Sequence, residues 1–463
     1  MSTQKSTDLG QGLKQRHVTM LSIAGVIGAG LFVGSGHAIA EAGPAVLLAY
    51  AAAGTLVVLV MRMLAEMAVA SPDTGSFSTY ADRAIGHWAG FTIGWLYWWF
   101  WVLVIQLEAN AAAGILHGWF PEVAVWVFTL VITLVLTATN LFSVKNYGEF
   151  EFWFALIKVL AIIGFIVLGL AAVFGWMPNS QVSGVSHLVD TQGFMPNGLG
   201  AVVAAMLTTM FSFMGTEIVT IAAAESKDPG QQISRATNSV IWRIFLFYLV
   251  SIFLVVALVP WNDSRLAELG SYQTVLNLMG VPNAKLIVDL VVLVAVTSCL
   301  NSALYTASRM LFSLSKRGDA PAMAQRTSRA GTPCVAVLLS TAAAFVAVFA
   351  NYVAPAQVFD FLLASSGAIA LLVYLVIAVS QLRMRRQRTA RGEKIAFKMW
   401  LFPGLTWATI FFIIGVLTVM AIRPDHRVEI VATGLLTVLV VATGLLVDRR
   451  RKTMRQGRVV LGS

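Results

Sequence analysis

Four ionisable residues lie within apolar stretches of this sequence, namely Glu108, Lys158, Glu217 and Glu225. A charge at membrane depth is costly, so residues of this kind commonly hold a proton, an ion or a charged group of a substrate. A lysine in apolar surroundings can gain and lose a proton during a cycle. Two simpler interpretations stay open, because Lys158 could extend to a nearby membrane surface and Glu225 could be an ordinary interfacial carboxylate. The pattern predicts translocation of a charged solute, and we expect a protein that is not an enzyme.

Two short motifs interrupt apolar segments that would otherwise be continuous helices. GVIGAG (residues 25–30) lies in the first segment, and SFMGTE (residues 212–217) lies in the sixth. Irregular backbone at membrane depth is tolerated only where it is buried in protein or lines a cavity. Matched breaks in two halves of a chain indicate the binding site of a transporter.

The first motif consists largely of residues with little or no side chain, Gly25, Gly28, Ala29 and Gly30. Backbone N–H groups can approach a ligand closely there, and glycine permits the dihedral angles of an unwound segment. The N-terminus of the half-helix after the break attracts a carboxylate. Together with the second motif, this predicts a binding site for an anionic group. The alternative is close helix packing through the G-x-x-x-G pair Gly30 and Gly34.

Composition assigns the chain to the membrane. Hydrophobic residues make up 58% of it and charged residues only 12%, which is too apolar for a soluble domain of this length. No alternating strand pattern recurs, so we expect an all-α integral membrane protein with twelve transmembrane helices. The windows with the roughly 20 apolar residues that a spanning helix needs are 18–40, 44–69, 88–112, 124–143, 150–174, 197–224, 240–260, 285–308, 334–353, 358–380, 401–422 and 428–447.

The net charge of +10 is distributed in a way that argues against nucleic acid as a partner. With these windows, all but four of the 32 Lys and Arg residues lie at one side of the membrane or in the half of the spans nearest to it. Such an excess marks the cytoplasmic side, so we expect both termini in the cytoplasm. The basic clusters could also bind anionic membrane lipid, although a topology signal alone would explain them.

The chain is predicted to form one transporter domain with short connections. Segments one to five and six to ten each open with a broken helix, and an odd number of spans reverses the second half relative to the first, which predicts an inverted repeat. The predicted parts are a cytoplasmic N-terminal segment (1–17), a transporter domain (18–447) with repeat one (18–174), repeat two (197–380) and two further helices (401–447), and a basic cytoplasmic tail (448–463).

Nothing in the sequence indicates a cofactor or a metal site. The six histidines are scattered at helix ends and loops without the spacing of metal ligands. Cys299 and Cys334 both fall in predicted membrane segments, so we expect no stabilising disulfide. We infer no obligate protein partner.

Seven blocks of the sequence carry a resemblance to a known family. They are HVTMLSIAGVIGAGLFVGSG, MRMLAEMAVASPDTGSFSTYAD, GWLYWWFWVLVI, VKNYGEFEFWFALIKV, MFSFMGTEIVTIAAAES, VTSCLNSALYTASRMLFSLSKRGDAP and SSGAIALLVYLVIAVSQLRMR. Over nearly its whole length the chain resembles the amino acid transporter family of the amino acid/polyamine/organocation superfamily. The resemblance implies a LeuT-type five-plus-five inverted repeat with discontinuous helices 1 and 6, proton symport of a small zwitterionic amino acid, and the bacterial cytoplasmic membrane.

The resemblance also implies which residues form the site. The substrate carboxylate would meet the backbone at Gly28, Ala29 and Gly30, with Lys158 beside the first break. The candidate substrate-binding residues are Gly25, Ile27, Gly28, Ala29, Gly30, Glu108, Phe211, Ser212, Met214, Glu217 and Cys299. The candidate proton-coupling residues are Lys158, Glu217 and Glu225.

Three functions stay open at this point. The third and sixth blocks are most similar to family members that import 4-aminobutyrate, which predicts uptake of that compound or of related ω-amino acids. A permease for aromatic, basic or other α-amino acids is the alternative, since an α-amino acid could place both charges at the helix breaks. 4-Aminobutyrate separates its ammonium group from its carboxylate by three carbons, so its ammonium group needs a partner further from the carboxylate site. A sensor that does not transport is the third, although such a protein would usually carry a long soluble extension.

Overall fold

The computed structural model describes residues 15–142, 144–189, 193–353, 355–423 and 427–461, and the regular structure in these ranges is helical. In the first half the helices are α1 (Gln15–Ala24), α2 (Ala29–Phe32), α3 (Gly34–Ala42), α4 (Val46–Ala70), α5 (Ser76–Ala84), α6 (His87–Trp119), α7 (Val125–Leu141) and α8 (Val144–Val173). In the second half they are α9 (Gly198–Phe213), α10 (Ile218–Ala223), α11 (Pro229–Ile244), α12 (Ser251–Leu258), α13 (Arg265–Glu268), α14 (Ser271–Leu278), α15 (Ala284–Lys316), α16 (Cys334–Val353), α17 (Pro355–Ala390), α18 (Gly404–Ile422) and α19 (Arg427–Leu461). A π-helical turn, Phe245–Val250, joins α11 to α12.

The predicted all-α class is confirmed, and the apolar helices agree with the twelve predicted membrane segments. Within the described ranges, nine helical stretches are long and apolar enough to cross a bilayer, and two shorter apolar helices, Val125–Leu141 and Cys334–Val346, accompany them. The first of the nine, Ala29–Ala70, contains two of the predicted segments, which the 3-10 turn Gly43–Ala45 separates.

Both glycine motifs lie where a helix is interrupted. The chain leaves the helix between Ala24 and Ala29, and again between Phe213 and Ile218. Gly215, in the second break, has a φ of +108°, which residues with a side chain rarely adopt. Each break exposes backbone N–H and C=O groups that must find partners inside the bundle.

Helices α6 and α15 pack along each other and position the side chains around the first break. The short helix α2, which follows that break, contacts both of them. The buried face of α6 includes Glu108, and that of α15 includes Cys299. By contrast, α18 and α19 expose apolar residues such as Phe411, Leu435 and Val438. Such surfaces suit lipid tails, and these two helices do not build the site.

One end of the bundle carries many cations and is called the basic end below. It contains the loops that follow α4, α7, α10, α15 and α17, with Arg83 and Arg385 among their flanking residues. Helix α19 reaches the same end, where Arg451 donates a hydrogen bond to the Asp319 carboxylate at 2.9 Å. α19 continues into the segment predicted as a basic tail, so those residues extend the helix.

Candidate functional site

The two helix breaks touch each other. A Cβ atom on Gly215 would collide with the carbonyl oxygen of Gly25, and one on Gly30 would lie 2.9 Å from the Cα atom of Ser212. Glycine at these positions is therefore what allows the two unwound segments to meet. The first motif can therefore serve both close packing and a binding site, because Gly30 packs against the second break.

Tyr248 connects the two breaks by hydrogen bonding. Its hydroxyl donates to the carbonyl oxygen of Ser212 at 2.8 Å and lies 3.3 Å from the carbonyl oxygen of Val26. The side chain is 2% exposed and belongs to the π-helical turn between α11 and α12. Because such turns shift the register of a helix, they often occur at functional sites. Tyr248 is not among the residues predicted from the sequence, since neither composition nor periodicity reveals a π turn.

We expect Tyr248→Phe to weaken substrate binding about fivefold, because a single buried hydrogen bond contributes about 1 kcal/mol. The ring and its packing are kept, so the change should act on the alignment of the breaks. Substrate affinity measured by isothermal titration of the purified variant tests this. Affinity equal to that of the parent would mean that the hydroxyl does not hold the breaks in their binding geometry.

A small cavity lies beside the contact between the breaks, and its free volume of about 10 Å³ is room for about one water molecule. All of its lining residues are buried, so it is closed to solvent. In this conformation it is too small for an amino acid, so substrate binding requires the helices around the breaks to move apart. The lining residues are Gly25, Val26, Gly30, Phe100, Trp101, Val104, Glu108, Phe211, Ser212, Met214 and Cys299.

The structure brings most of the predicted substrate-binding residues to this cavity. Those that line it are Gly25, Gly30, Glu108, Phe211, Ser212, Met214 and Cys299. Ile27 instead lines a neighbouring cavity of about 20 Å³ together with Tyr248. Gly28 is covered by Glu108 and Cys299, which lie where a side chain on it would extend.

Helix α6 supplies lining residues that were not predicted for the site, among them Trp101 and Val104. These two precede Glu108 by seven and four residues, which places all three on one helix face. Trp101 belongs to an aromatic run, and such runs are common in interfacial belts. The seven-residue spacing from Trp101 to Glu108 is the signal that could have distinguished Trp101 from the other aromatic residues of the run.

Glu108 caps the first break. Its two carboxylate oxygens accept hydrogen bonds from the backbone N–H of Ala29, at N···O distances of 3.1 and 3.0 Å. The side chain is 1% exposed. The predicted carboxylate-binding amide at Ala29 thus already holds a carboxylate, and that carboxylate belongs to the protein.

Glu217 caps the second break in the same way. It accepts from the backbone N–H of Gly215 at 3.1 and 3.0 Å and from the Tyr97 hydroxyl at 2.8 Å. Glu217 is fully buried but does not belong to the cavity lining. Its geometry fits a role in holding the break and does not require direct contact with a substrate.

Lys158 lies deep inside the bundle. It is fully buried and close to Cys299, Glu151 and Glu108. Fourteen residues separate it from the start of α8 at Val144, a distance of about 21 Å along a helix at 1.5 Å per residue. A four-carbon stem cannot span that distance, so the geometry excludes extension of the ammonium group to the basic end.

Glu225 lies nearer the basic end than the cavity does. The Arg309 guanidinium donates to its carboxylate at 3.2 Å, and the Tyr305 hydroxyl donates at 3.0 Å. Tyr305 in turn stacks on Tyr147, with ring centroids 4.5 Å apart. Both ions of the pair are at most 2% exposed. The ion pair connects α15 to the segment after α10, and the stacked tyrosines connect α15 to α8, between the cavity and the basic end.

We expect Arg309→Met to destabilise the protein by about 3–5 kcal/mol, because it leaves the buried charge of Glu225 without its partner. The double variant Arg309→Met with Glu225→Gln removes both charges and should recover much of that loss. Melting temperatures of the purified single and double variants test this. Additive losses would mean that the two side chains act independently.

Comparisons with known proteins agree with this architecture. A sequence model of the amino acid permease family matches residues 17–454. The chain is 69% identical to a probable GABA permease of Pseudomonas aeruginosa, over 97% of this chain and 95% of the relative. It is 67% identical to the gamma-aminobutyric acid permease of Escherichia coli, over 96% of each chain. A crystal structure of a manganese transporter from Eremococcus coleocola superposes with a TM-score of 0.60 over 94% of each chain, and at 14% identity this likeness concerns the fold alone.

Proposed function

Because the chain belongs to the amino acid permease family, we propose that it imports 4-aminobutyrate or related ω-amino acids by proton symport with alternating access. Amino acid transport follows from the family. The choice of 4-aminobutyrate is supported by the two relatives of 69% and 67% identity that are named for this substrate.

The first break provides the place for the substrate carboxylate. The observation that carries this proposal is the hydrogen bonding of the Ala29 N–H to both oxygens of Glu108. An amide that holds a carboxylate of the protein can hold one of a ligand. The dipole of the following helical turns adds to the attraction. Gly28 and Gly30 permit the close approach of the ligand to the backbone.

Glu108 then serves the other end of the substrate. Among the lining residues that the structure describes, it has the one carboxylate side chain. When the substrate carboxylate takes the Ala29 amide, Glu108 is released to pair with the ω-ammonium group. The aromatic and aliphatic lining, including Trp101, Phe211 and Met214, covers the methylene chain between the two charges.

Lys158 carries the coupled proton in this proposal. It is the buried cation beside the cavity, and it lies close to Glu108 and Cys299. Loss of its proton leaves a neutral amine, so the charge beside the first break changes once per cycle. Glu217 and Glu225 support the cycle, the former by holding the second break and the latter through its ion pair with Arg309.

The basic end faces the cytoplasm of a bacterial cell in this proposal. The excess of cations there is typical of cytoplasmic loops, so both termini lie on that side of the inner membrane. Anionic lipids would contact the same cations. Since the cavity is closed to solvent, the substrate can enter and leave only when the helices around the two breaks rearrange.

The second candidate is a permease for α-amino acids. It is favoured by the aromatic side chains Phe100, Trp101 and Phe211 in the lining, which could contact a bulky substrate. The first candidate is favoured by the two relatives of 69% and 67% identity, whose names give GABA as the substrate.

Competition distinguishes the two candidates. Uptake of radiolabelled 4-aminobutyrate by liposomes that contain the purified protein would be measured against an excess of unlabelled ω-amino acids, aromatic amino acids and basic amino acids. We expect only ω-amino acids to compete. Strong inhibition by phenylalanine or lysine, with little uptake of 4-aminobutyrate itself, would favour the α-amino acid permease.

A further inference from the structure

A second buried carboxylate lies on the same helix as Lys158. Glu151 is fully buried, and the Ser298 hydroxyl and the Asn301 amide nitrogen each donate to it at 2.6 Å. Both donors belong to α15. A buried carboxylate needs such partners, because an uncompensated charge in a low-dielectric interior is very costly. The transport steps described above do not use this group.

Glu151 and Lys158 face the same side of α8. Seven residues separate them, which corresponds to two helical turns and about 10 Å along the axis. Glu151 is on the side of Lys158 that leads toward the basic end, because α8 begins there at Val144. The two groups are close enough for their charges to interact.

A chain of polar side chains continues from Glu151 toward the basic end. The Asn301 side-chain oxygen accepts from the Asn140 amide at 2.6 Å and lies 3.3 Å from the Thr139 hydroxyl. Asn140 and Thr139 are in the last turn of α7, which ends at the basic end, and Thr139 is half-buried. Polar groups therefore connect Glu151 to a less buried part of the bundle.

We propose that Glu151 is the acceptor that takes the coupled proton from Lys158 and releases it toward the basic end. This inference rests on the proposed proton symport. The Lys158 ammonium group loses a proton and becomes an amine, while the Glu151 carboxylate gains that proton and becomes a carboxylic acid. The acid then gives the proton to water at the basic end and becomes a carboxylate again.

Charge compensation favours this acceptor over direct loss of the proton from Lys158 to water. Transfer to Glu151 converts a buried cation and a buried anion into two neutral groups, so no isolated charge is created. The other groups near Glu151 are Tyr147 on the same helix and Ser298, Cys299, Asn301 and Ser302 on α15. None of these is a cation. Arg309, further along α15, acts on Tyr147 but is paired with Glu225, so among the residues described Lys158 is the cation that acts on Glu151.

The test uses Glu151→Gln in liposomes loaded with the pH dye pyranine. Addition of 4-aminobutyrate should acidify the interior with the parent protein, and we expect the variant to reduce this proton influx by at least about tenfold. Exchange of internal for external radiolabelled 4-aminobutyrate should persist, because exchange does not require the empty carrier to release its proton. Glu149→Gln is the matched control, since Glu149 is on the same helix but its side chain is 34% exposed and paired with Arg16.

Conservative replacement separates proton transfer from a structural role. Glu151→Asp keeps a carboxyl group and should restore proton influx with the parent's ratio of protons to substrate. If Glu151→Gln does not fold, Asn301→Leu takes its place, and it should lower proton influx while exchange continues. Proton influx at the parent's level in Glu151→Gln would overturn the inference, as would an equal loss in Glu149→Gln. If the parent shows exchange but no proton influx, it is the proposed symport that fails.

Discussion

Replacement of Lys158 by alanine is expected to abolish accumulation of substrate. In the proposed symport, one net positive charge moves inward with each zwitterion and proton, and at about 2.3 kcal/mol per 100 mV this would support roughly fifty-fold accumulation. Without the ammonium group of Lys158 beside the first break, the variant should only equilibrate its substrate across the membrane. Uptake of radiolabelled 4-aminobutyrate into liposomes with an imposed potential and proton gradient measures this directly.

Exchange provides the internal control for this variant. Binding and the exchange of internal for external substrate should survive in Lys158→Ala. During exchange the transporter carries substrate in both directions, so it never has to reorient across the membrane without substrate. Lys285→Ala is the matched lysine variant, since Lys285 is 62% exposed and pairs with Asp289 at the end of the bundle opposite the basic end. Accumulation by Lys158→Ala equal to that of the parent would mean that the lysine does not couple transport to the proton.

Replacement of Gly30 by valine is expected to weaken substrate binding by about 100-fold or more, from the upper part of the range for overpacking of a buried site. The valine side chain would enter the contact with the second break, where even its Cβ atom would lie only 2.8 Å from the Ser212 hydroxyl oxygen and 2.9 Å from the Phe211 ring. It would also restrict the backbone at the break. Isothermal titration and the melting temperature, measured on the same purified sample, separate the loss of binding from the loss of stability.

Gly164→Val is the control for this change. Gly164 is exposed on α8, and a Cβ atom on it would have no neighbour within 4 Å. The control should keep both affinity and melting temperature. If Gly30→Val lowers the melting temperature but leaves the affinity of the folded fraction intact, the glycine serves helix packing and the carboxylate site lies elsewhere.

The sequence was sufficient to predict the membrane helices and the two helix breaks, because both depend on strong local signals. Long apolar windows identify spanning helices whatever their neighbours are. Glycine-rich breaks identify irregular backbone, and Glu108 stands out as a charge in an apolar helix. The contact between Gly25 and Gly215 follows from the same logic once the two breaks are assigned to one site.

Charged residues at the edges of the apolar windows were harder to interpret. The predicted fifth segment begins at residue 150, which makes Glu151 a terminal residue, but α8 begins at Val144 and buries Glu151 two turns further in. The predicted eighth segment ends at residue 308, yet α15 continues to Lys316 and buries Arg309. Hydropathy falls at each charge, but the helix continues because a partner elsewhere in the chain compensates the charge: Ser298 and Asn301 for Glu151, and Glu225 for Arg309.

Tyr248 could not be predicted for a different reason. Its hydroxyl reaches the breaks because a π-helical turn changes the register of the seventh span. Residues that favour a π turn do not differ in type from those of an ordinary apolar helix. The tertiary contacts that stabilise the turn are distant in sequence, so the turn becomes visible only in three dimensions.

Proton-driven uptake of 4-aminobutyrate is the central claim, and one measurement tests it most directly. The purified protein is placed in liposomes without sodium, and uptake of the radiolabelled compound is followed with and without an imposed gradient that is alkaline inside. We predict accumulation that requires this gradient, increases with an inside-negative potential and does not change when sodium is added. Uptake that needs sodium and is the same with and without the proton gradient would contradict the account.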